Sequence, residues 1–226
     1  MSERTRLVLV RHAQPAGEML GRCYGTLDVG LSPAGRRQAR LLSRTLASMA
    51  LAALYTSPSA RALDTAAPIA AAHGLAPLID ARLCEIDFGD LEGRRYDEIE
   101  GSHPEIYRQW MATPTLVQFP GGESYGDLRI RALAALEEIR SARPGKVSAV
   151  VAHAGVLRTM IASCLLMPSE AIFRLDQHHG AISVIDWIDS VPVVRLLNEV
   201  PAGRGFAPVL DETPRTPSAA AAAGAT

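Results

Sequence analysis

Four places in this chain carry side chains suited to chemistry, and each follows or lies near a predicted strand end. Arg11-His12 closes the aliphatic run RLVLV, Arg61 follows Thr56-Ser57-Pro58, Glu85 follows Leu83-Cys84, and His153 closes VSAVVA. Taken singly, each is weak, because a lone histidine is more often a hydrogen-bonded surface or core residue and an arginine is usually solvated. Together they suit phosphoryl transfer. Guanidinium groups match phosphate geometry bidentately, better than an ammonium does. A neutral imidazole is a competent nucleophile near neutral pH, provided that its other ring nitrogen is held as a donor. A second histidine can offset charge on the transferred group. A carboxyl group can protonate the leaving alkoxide and later deprotonate a water.

These groups have to be positioned by a scaffold, and the order of predicted elements says which one. Residues 6–11 read as a buried strand because four consecutive aliphatics precede Arg11. Ser32-Pro33 supplies an N-cap and a first-turn proline for a helix with Ala39, Leu42, Leu46 and Met49 on one side. Residues 51–56 form a second strand, and a helix from 60 to 73 ends at Gly74, with Pro68 as a bend or a break within it. A short strand and an acid-rich loop occupy 77–86, and 96–112 is helical with breaks at Gly101 and Pro104. Ser124 caps a long amphipathic helix carrying Leu128, Ala132, Leu136 and Ile139. Residues 146–152 are a strand, 155–167 a helix, and 181–187 with 192–197 a hairpin turning at Asp189-Ser190. Alternating strands and helices predict an α/β fold, a three-layer α/β/α sandwich on a mostly parallel sheet with an antiparallel edge strand. In such sheets ligands bind beyond the carboxyl ends of the strands, where the four sites above are placed.

Bulk properties restrict the function classes. With 23 basic and 24 acidic residues among 226, there is no broad positive field of the kind that nucleic acid or an anionic membrane would call for. No apolar run approaches the roughly 20 residues of a membrane-spanning helix, and MSERTR is no signal peptide, so a cytoplasmic protein is expected. Cys23, Cys84 and Cys164 are too scattered for a disulfide framework or a zinc site, so neither metal nor cofactor is expected. Residues 1–5 are read as a flexible N-terminus, 6–200 as one catalytic domain, and the Pro/Ala-rich 201–226 as a disordered tail. The expected partner is a small phosphorylated metabolite, met by a monomer or homodimer.

Five ordered segments resemble one family. LVLVRHAQP (7–15) is similar to the signature of the histidine phosphatase superfamily, the phosphoglycerate-mutase-like group, and GRCYGTLDVGLSPAGRRQA (21–39) to the segment that follows it. TSPSARALDTA (56–66), LCEIDFGDLEG (83–93) and VVAHAGVLR (150–158) resemble its second-arginine, acid and second-histidine segments. The resemblance implies His12 as nucleophile, Glu85 as proton donor and then base, and Arg11, Arg61 and His153 as the phosphate pocket. It implies further substrate contacts at Ala154, Gln14, Glu18, Tyr24 and Gly25, and places residues 176–180 near the pocket rim, with His178 and His179 expected on the surface. Ala13, Pro15, Glu18, Ser59 and Ala154 depart from the usual residues. Mutases of the group carry a longer insertion after the acid segment, so the resemblance favours its phosphatase branch, near alpha-ribazole phosphatase. A mutase-type phosphotransferase, or a silent phosphate-binding regulator, is the alternative.

Overall fold

The computed structural model describes residues 4–19 and 21–202, the side chain of Glu18 excepted. The expected contact at Glu18 and the expected tail from 203 onward therefore lie outside the described residues, as do residues 1–3.

Six strands form one sheet: β1 (Arg4–Arg11), β2 (Leu51–Thr56), β3 (Leu78–Ile79), β4 (Val147–Ala152), β5 (Ile182–Ile188) and β6 (Val191–Glu199), ordered β3-β2-β4-β1-β5-β6. β1 to β4 run parallel, and the β5–β6 hairpin adds the antiparallel edge, with β5 running against β1 and β6 against β5. Leu7 to Val10 are wholly buried, as a strand covered on both faces requires. Alternation divides their loyalties. Leu7 and Leu9 pack with Val150 and Ala152 against α5 (Tyr125–Ala142) and α6 (Ala154–Cys164). Val8 and Val10 pack with Ala149 and Val151 against α1 (Pro33–Leu46) and α2 (Ala60–His73). The result is the expected three-layer sandwich.

Local signals hold where they are local. Ser32 caps α1 by accepting the Gly35 N–H, and Gly74 ends α2 at φ 64°. Pro68 sits inside α2 without dividing it. Asp189 and Ser190 both take left-handed backbone, φ 48° and 70°, so the hairpin closes through a two-residue turn that matches the twist of its strands. Ser124 and Asp127 form a reciprocal cap at the start of α5. We expect Ser124→Ala to cost about 1 kcal/mol of stability, read as a lower chemical-denaturation midpoint with an unchanged m-value.

Three expectations are corrected. Residues 4 and 5 belong to β1 rather than to a flexible terminus, because Arg4 and Thr5 pair with Ile188 and Trp187 and the Thr5 hydroxyl accepts the Gly145 N–H at 2.9 Å. Helix α6 ends at Cys164, short of Met167, because Leu166 turns left-handed at φ 53°. The break in 96–112 falls only at His103, between α3 (Tyr96–Ser102) and α4 (Pro104–Ala112), leaving Gly101 within a helix. A buried ion pair was not anticipated. Arg6 and Asp186 face each other in register, with a bidentate contact at 2.6 and 2.8 Å, tying β1 to β5.

No described helix is long and apolar enough to cross a membrane.

Candidate active site

The register of two strands builds the centre. β1 and β4 pair so that Arg11 stands beside Ala152. The next residues, His12 and His153, therefore leave adjacent strand ends together, and their ring centroids lie 5.1 Å apart. The His12 N–H donates to the Ala152 carbonyl at 2.9 Å, extending the ladder by one step. Both rings are about 1% exposed.

Hydrogen bonds fix the tautomer of His12. Its Nδ1 lies 2.8 Å from the Ala13 carbonyl. A carbonyl can only accept, so Nδ1 carries the proton and Nε2 keeps its lone pair. Burial, then the positive neighbourhood of His153, Arg11 and Arg61, holds the ring's pKa well below its ordinary value. His153 is lowered in the same way, by burial first and then by Arg61, Arg11 and Arg131. Its Nε2 is 2.9 Å from Ser57 Oγ and 3.3 Å from Ser59 Oγ. The unusual Ser59 thus has a partner in the site.

Both arginines are anchored by backbone carbonyls. Arg11 donates to the Gln177 carbonyl, and its Nη2 lies 2.9 Å from His179 Nε2. Arg61 is wholly buried, donating to the carbonyls of Leu27 at 2.7 Å, Gly25 at 2.6 Å and Tyr24 at 3.2 Å. The N–H groups of the same loop, at Gly25, Thr26 and Leu27, point instead to the Glu92 carboxylate. The loop is clamped from both sides. A Cβ on Gly25 would fall 1.7 Å from the Ile86 carbonyl oxygen, so only glycine fits there.

Glu85 enters from the segment after β3. Its Oε2 accepts the Gly155 N–H and its Oε1 accepts the Ile86 N–H, each at 3.0 Å. Arg131 on α5 braces that segment by donating to the carbonyls of Arg82, Cys84 and Glu85, while Glu123 holds Arg131 at 2.7 Å. Ala154 begins α6, so its N–H belongs to the unpaired first turn of a helix.

A cavity of about 240 Å³ collects Arg11, His12, Tyr24, Glu85, His153 and Ala154 in its lining. Arg61, Gln14 and Gly25 are not part of that lining. Arg61 is buried near His12 and His153. The Gln14 side chain instead accepts from the Ser32 hydroxyl at 2.8 Å. Gly25 is held as described above. Three buried side-chain nitrogens of the site lack a protein partner: Arg11 Nε, Arg61 Nε and His153 Nδ1. An arginine Nε can only donate, and an unpaired buried donor is costly; on Arg11, which lines the cavity, it suits an anion with acceptor oxygens. No three His, Cys, Asp or Glu side chains cluster as a metal set among the described residues.

Sequence reasoning did not single out Arg131 or Glu92, and misjudged His179. Rather than lying on the surface, His179 lies with its ring centroid 5.3 Å from that of His12, and its Nε2 is 3.1 Å from the Tyr24 hydroxyl. Only its alternation with exposed His178 could have hinted at this. Since Arg11 can only donate, Nε2 of His179 accepts and the ring is neutral. Burial, then Arg11 and Arg61, lowers its pKa to about 4.

Three histidines kept neutral have a cost at low pH. Their folded-state pKa values lie below the ordinary 6.5, so below that pH the unfolded chain binds more protons than the folded one. Stability therefore falls as pH drops from 6.5, by up to about 1.4 kcal/mol per pH unit for each ring, and the share of His179 is fully lost below about pH 4. Thermal unfolding between pH 7 and 5 checks this. His179→Asn should flatten the slope, and an unchanged slope would contradict the assignment.

Comparison with known proteins bears on this site. The family model of the histidine phosphatase superfamily (branch 1) matches residues 7–200. Phosphoserine phosphatase 1 of Hydrogenobacter thermophilus is 34% identical over 193 residues, 85% of this chain and 92% of the relative. Phosphoglycerate mutase-like protein 4 of Arabidopsis thaliana is 37% identical over 157 residues, 68% of each chain. The crystal structure of a putative alpha-ribazole-5'-P phosphatase from Escherichia coli superposes with a TM-score of 0.80 at 26% identity, covering 86% of this chain and 96% of its own.

Proposed function

This chain belongs to the histidine phosphatase superfamily, and on that premise we propose that it hydrolyses a small phosphorylated metabolite through a phosphohistidine on His12. The observation that carries the reading is an open His12 Nε2 in one cavity with Arg11, His153 and Glu85.

In the first step Nε2 attacks phosphorus while the bond to the leaving oxygen breaks. Glu85 gives its proton to that oxygen. The Nδ1 proton, held by the Ala13 carbonyl, stabilises the ring as it gains positive character. Arg11, His153 and the Ala154 N–H offset charge on the transferred oxygens, with Arg61 adding its field from behind. In the second step the Glu85 carboxylate takes a proton from water, whose oxygen attacks phosphorus. The P–N bond breaks, and phosphate and neutral His12 result.

The name of the Hydrogenobacter relative supports phosphoserine as a candidate substrate, and that of the Escherichia coli protein supports alpha-ribazole 5'-phosphate. The test is release of phosphate from p-nitrophenyl phosphate without added metal, followed by a screen of phosphorylated metabolites that includes both. Hydrolysis between pH 5 and 7 is expected. A folded protein inert toward every monoester, or one that rapidly makes 2-phosphoglycerate from 3-phosphoglycerate and its 2,3-bisphosphate, would overturn the reading.

A further inference from the structure

The chain has only two Trp, five Tyr and four Phe, yet seven of these eleven rings line the one cavity that holds His12 and Glu85. Four of them form a continuous wall, with Tyr96 and Trp110 from α3 and α4 and Phe88 and Phe119 from the segments on either side. Trp110 is its hub, with ring centroids 5.5 Å from Phe88, 5.4 Å from Tyr96 and 5.1 Å from Phe119. Packing alone accounts for Phe119, which is buried. It does not account for Tyr96 and Phe173, which line the cavity from distant parts of the chain and stay 41% and 50% exposed. Large rings left open around a cleft with a few convergent polar groups mark a ligand surface.

In-line displacement decides which part of a ligand meets the wall. The leaving oxygen must lie on the side of phosphorus away from His12 Nε2, within reach of Glu85. Whatever that oxygen carries continues past Glu85, whose successors Ile86 and Phe88 line the same cavity. Resting on the phosphatase reading above, we infer that this cleft selects phosphomonoesters whose alcohol portion bears a planar aromatic ring. Offset or edge-to-face contact with Trp110, Phe88 and Tyr96 would hold the ring. Two further cations, Arg22 and Arg158, line the cavity and set the competing choice, an anionic substituent, which the carboxyl compound below reads. Arg22 already donates to the Gly93 carbonyl at 2.7 Å, and Arg158 donates to the Leu175 carbonyl at 2.7 Å while its guanidinium lies 5.5 Å over the Phe173 ring.

Non-hydrolysable phosphonates separate this claim from catalysis, because their binding needs no turnover. Calorimetry would compare methylphosphonate, 2-phenylethylphosphonate, 2-cyclohexylethylphosphonate and 2-carboxyethylphosphonate on the full chain. The phenyl compound is expected to bind at least about tenfold tighter than the methyl one, and tighter than the cyclohexyl and carboxyl compounds. Trp110→Ala should shrink the ratio of phenyl to methyl affinity. Tyr96→Ala, at an exposed position whose loss hollows no core, should shrink it even if the Trp110 variant fails to fold. Equal affinities, a tightest fit for the cyclohexyl or carboxyl compound, or a ratio unchanged in Tyr96→Ala would each overturn the inference. Hydrolysis of p-nitrophenyl phosphate is read separately. A protein that prefers the phenyl phosphonate but hydrolyses nothing refutes the phosphatase reading and leaves the aromatic subsite standing.

Discussion

Replacing His12 with alanine should abolish covalent phosphoenzyme formation and lower kcat/KM by on the order of 10⁴–10⁶-fold, the range seen when a nucleophile is removed from a unit that works together. The expectation follows from geometry. Nε2 of His12 is the ring nitrogen left open once Nδ1 is committed to the Ala13 carbonyl. The neighbouring ring, His153, has Nε2 engaged by Ser57 and Ser59 and no backbone carbonyl on Nδ1 to hold a proton there as Ala13 does for His12. Brief exposure to a labelled monoester, followed by quenching in alkali where phosphohistidine survives, measures the adduct directly. The wild type should carry acid-labile label and the variant none. Label retained by a folded His12→Ala protein would move the nucleophile elsewhere. Because the ring's pKa is held well below its usual value, the wild-type adduct should still form at mildly acidic pH. An ordinary imidazole would by then be largely protonated and unreactive.

The second large effect concerns Glu85 and depends on what leaves. With Glu85→Gln, kcat/KM for an alkyl phosphate should fall by about 10²–10⁴-fold, whereas p-nitrophenyl phosphate should lose less than about tenfold, since its phenolate departs without a proton. The ratio kcat/KM is the right reading because it covers events only through the first irreversible step. By contrast, kcat should drop for both substrates if water attack becomes limiting, since the amide cannot take the proton. Glutamine keeps the shape of the side chain, but Gly155 and Ile86 donate to different oxygens of Glu85, so the single amide oxygen can keep only one of those two bonds. Equal losses in kcat/KM for the two substrates would remove Glu85 from the acid role.

How much of this was legible beforehand depended on how locally each feature is encoded. An unbroken aliphatic run announces a strand with both faces covered, so the ends at Arg11-His12 and His153 could be placed from residues 6–12 and 146–153 alone. Caps at Ser32, Gly74 and Ser124 were equally visible, each being set by neighbours within about one helical turn. The sheet order was not encoded so locally, and with it went the Arg6–Asp186 pair, whose partners lie 180 residues apart. The supporting shell was hidden for another reason. Arg131, Glu123 and Glu92 sit among other charges, and nothing in composition distinguishes a carboxylate that gathers the N–H groups of Gly25 and Thr26 from one facing water. His179 failed similarly. Adjacent histidines alternate sides, and which side turns inward depends on how the 176–180 segment meets Arg11.

The position of β1 has a consequence for how this chain comes to be folded. β1, which ends one residue before His12, precedes the other strands in the chain, but its neighbours are β4 and β5, which begin only at Val147 and Ile182. Until those residues are made, LVLVR presents two open edges and an aliphatic surface on both faces, a combination that invites pairing with other chains. Closing loops of such length is entropically slow. The segment that leads into His12, the proposed nucleophile, is thus also one in need of shelter during synthesis, and a chain cut short before β4 would leave that strand exposed.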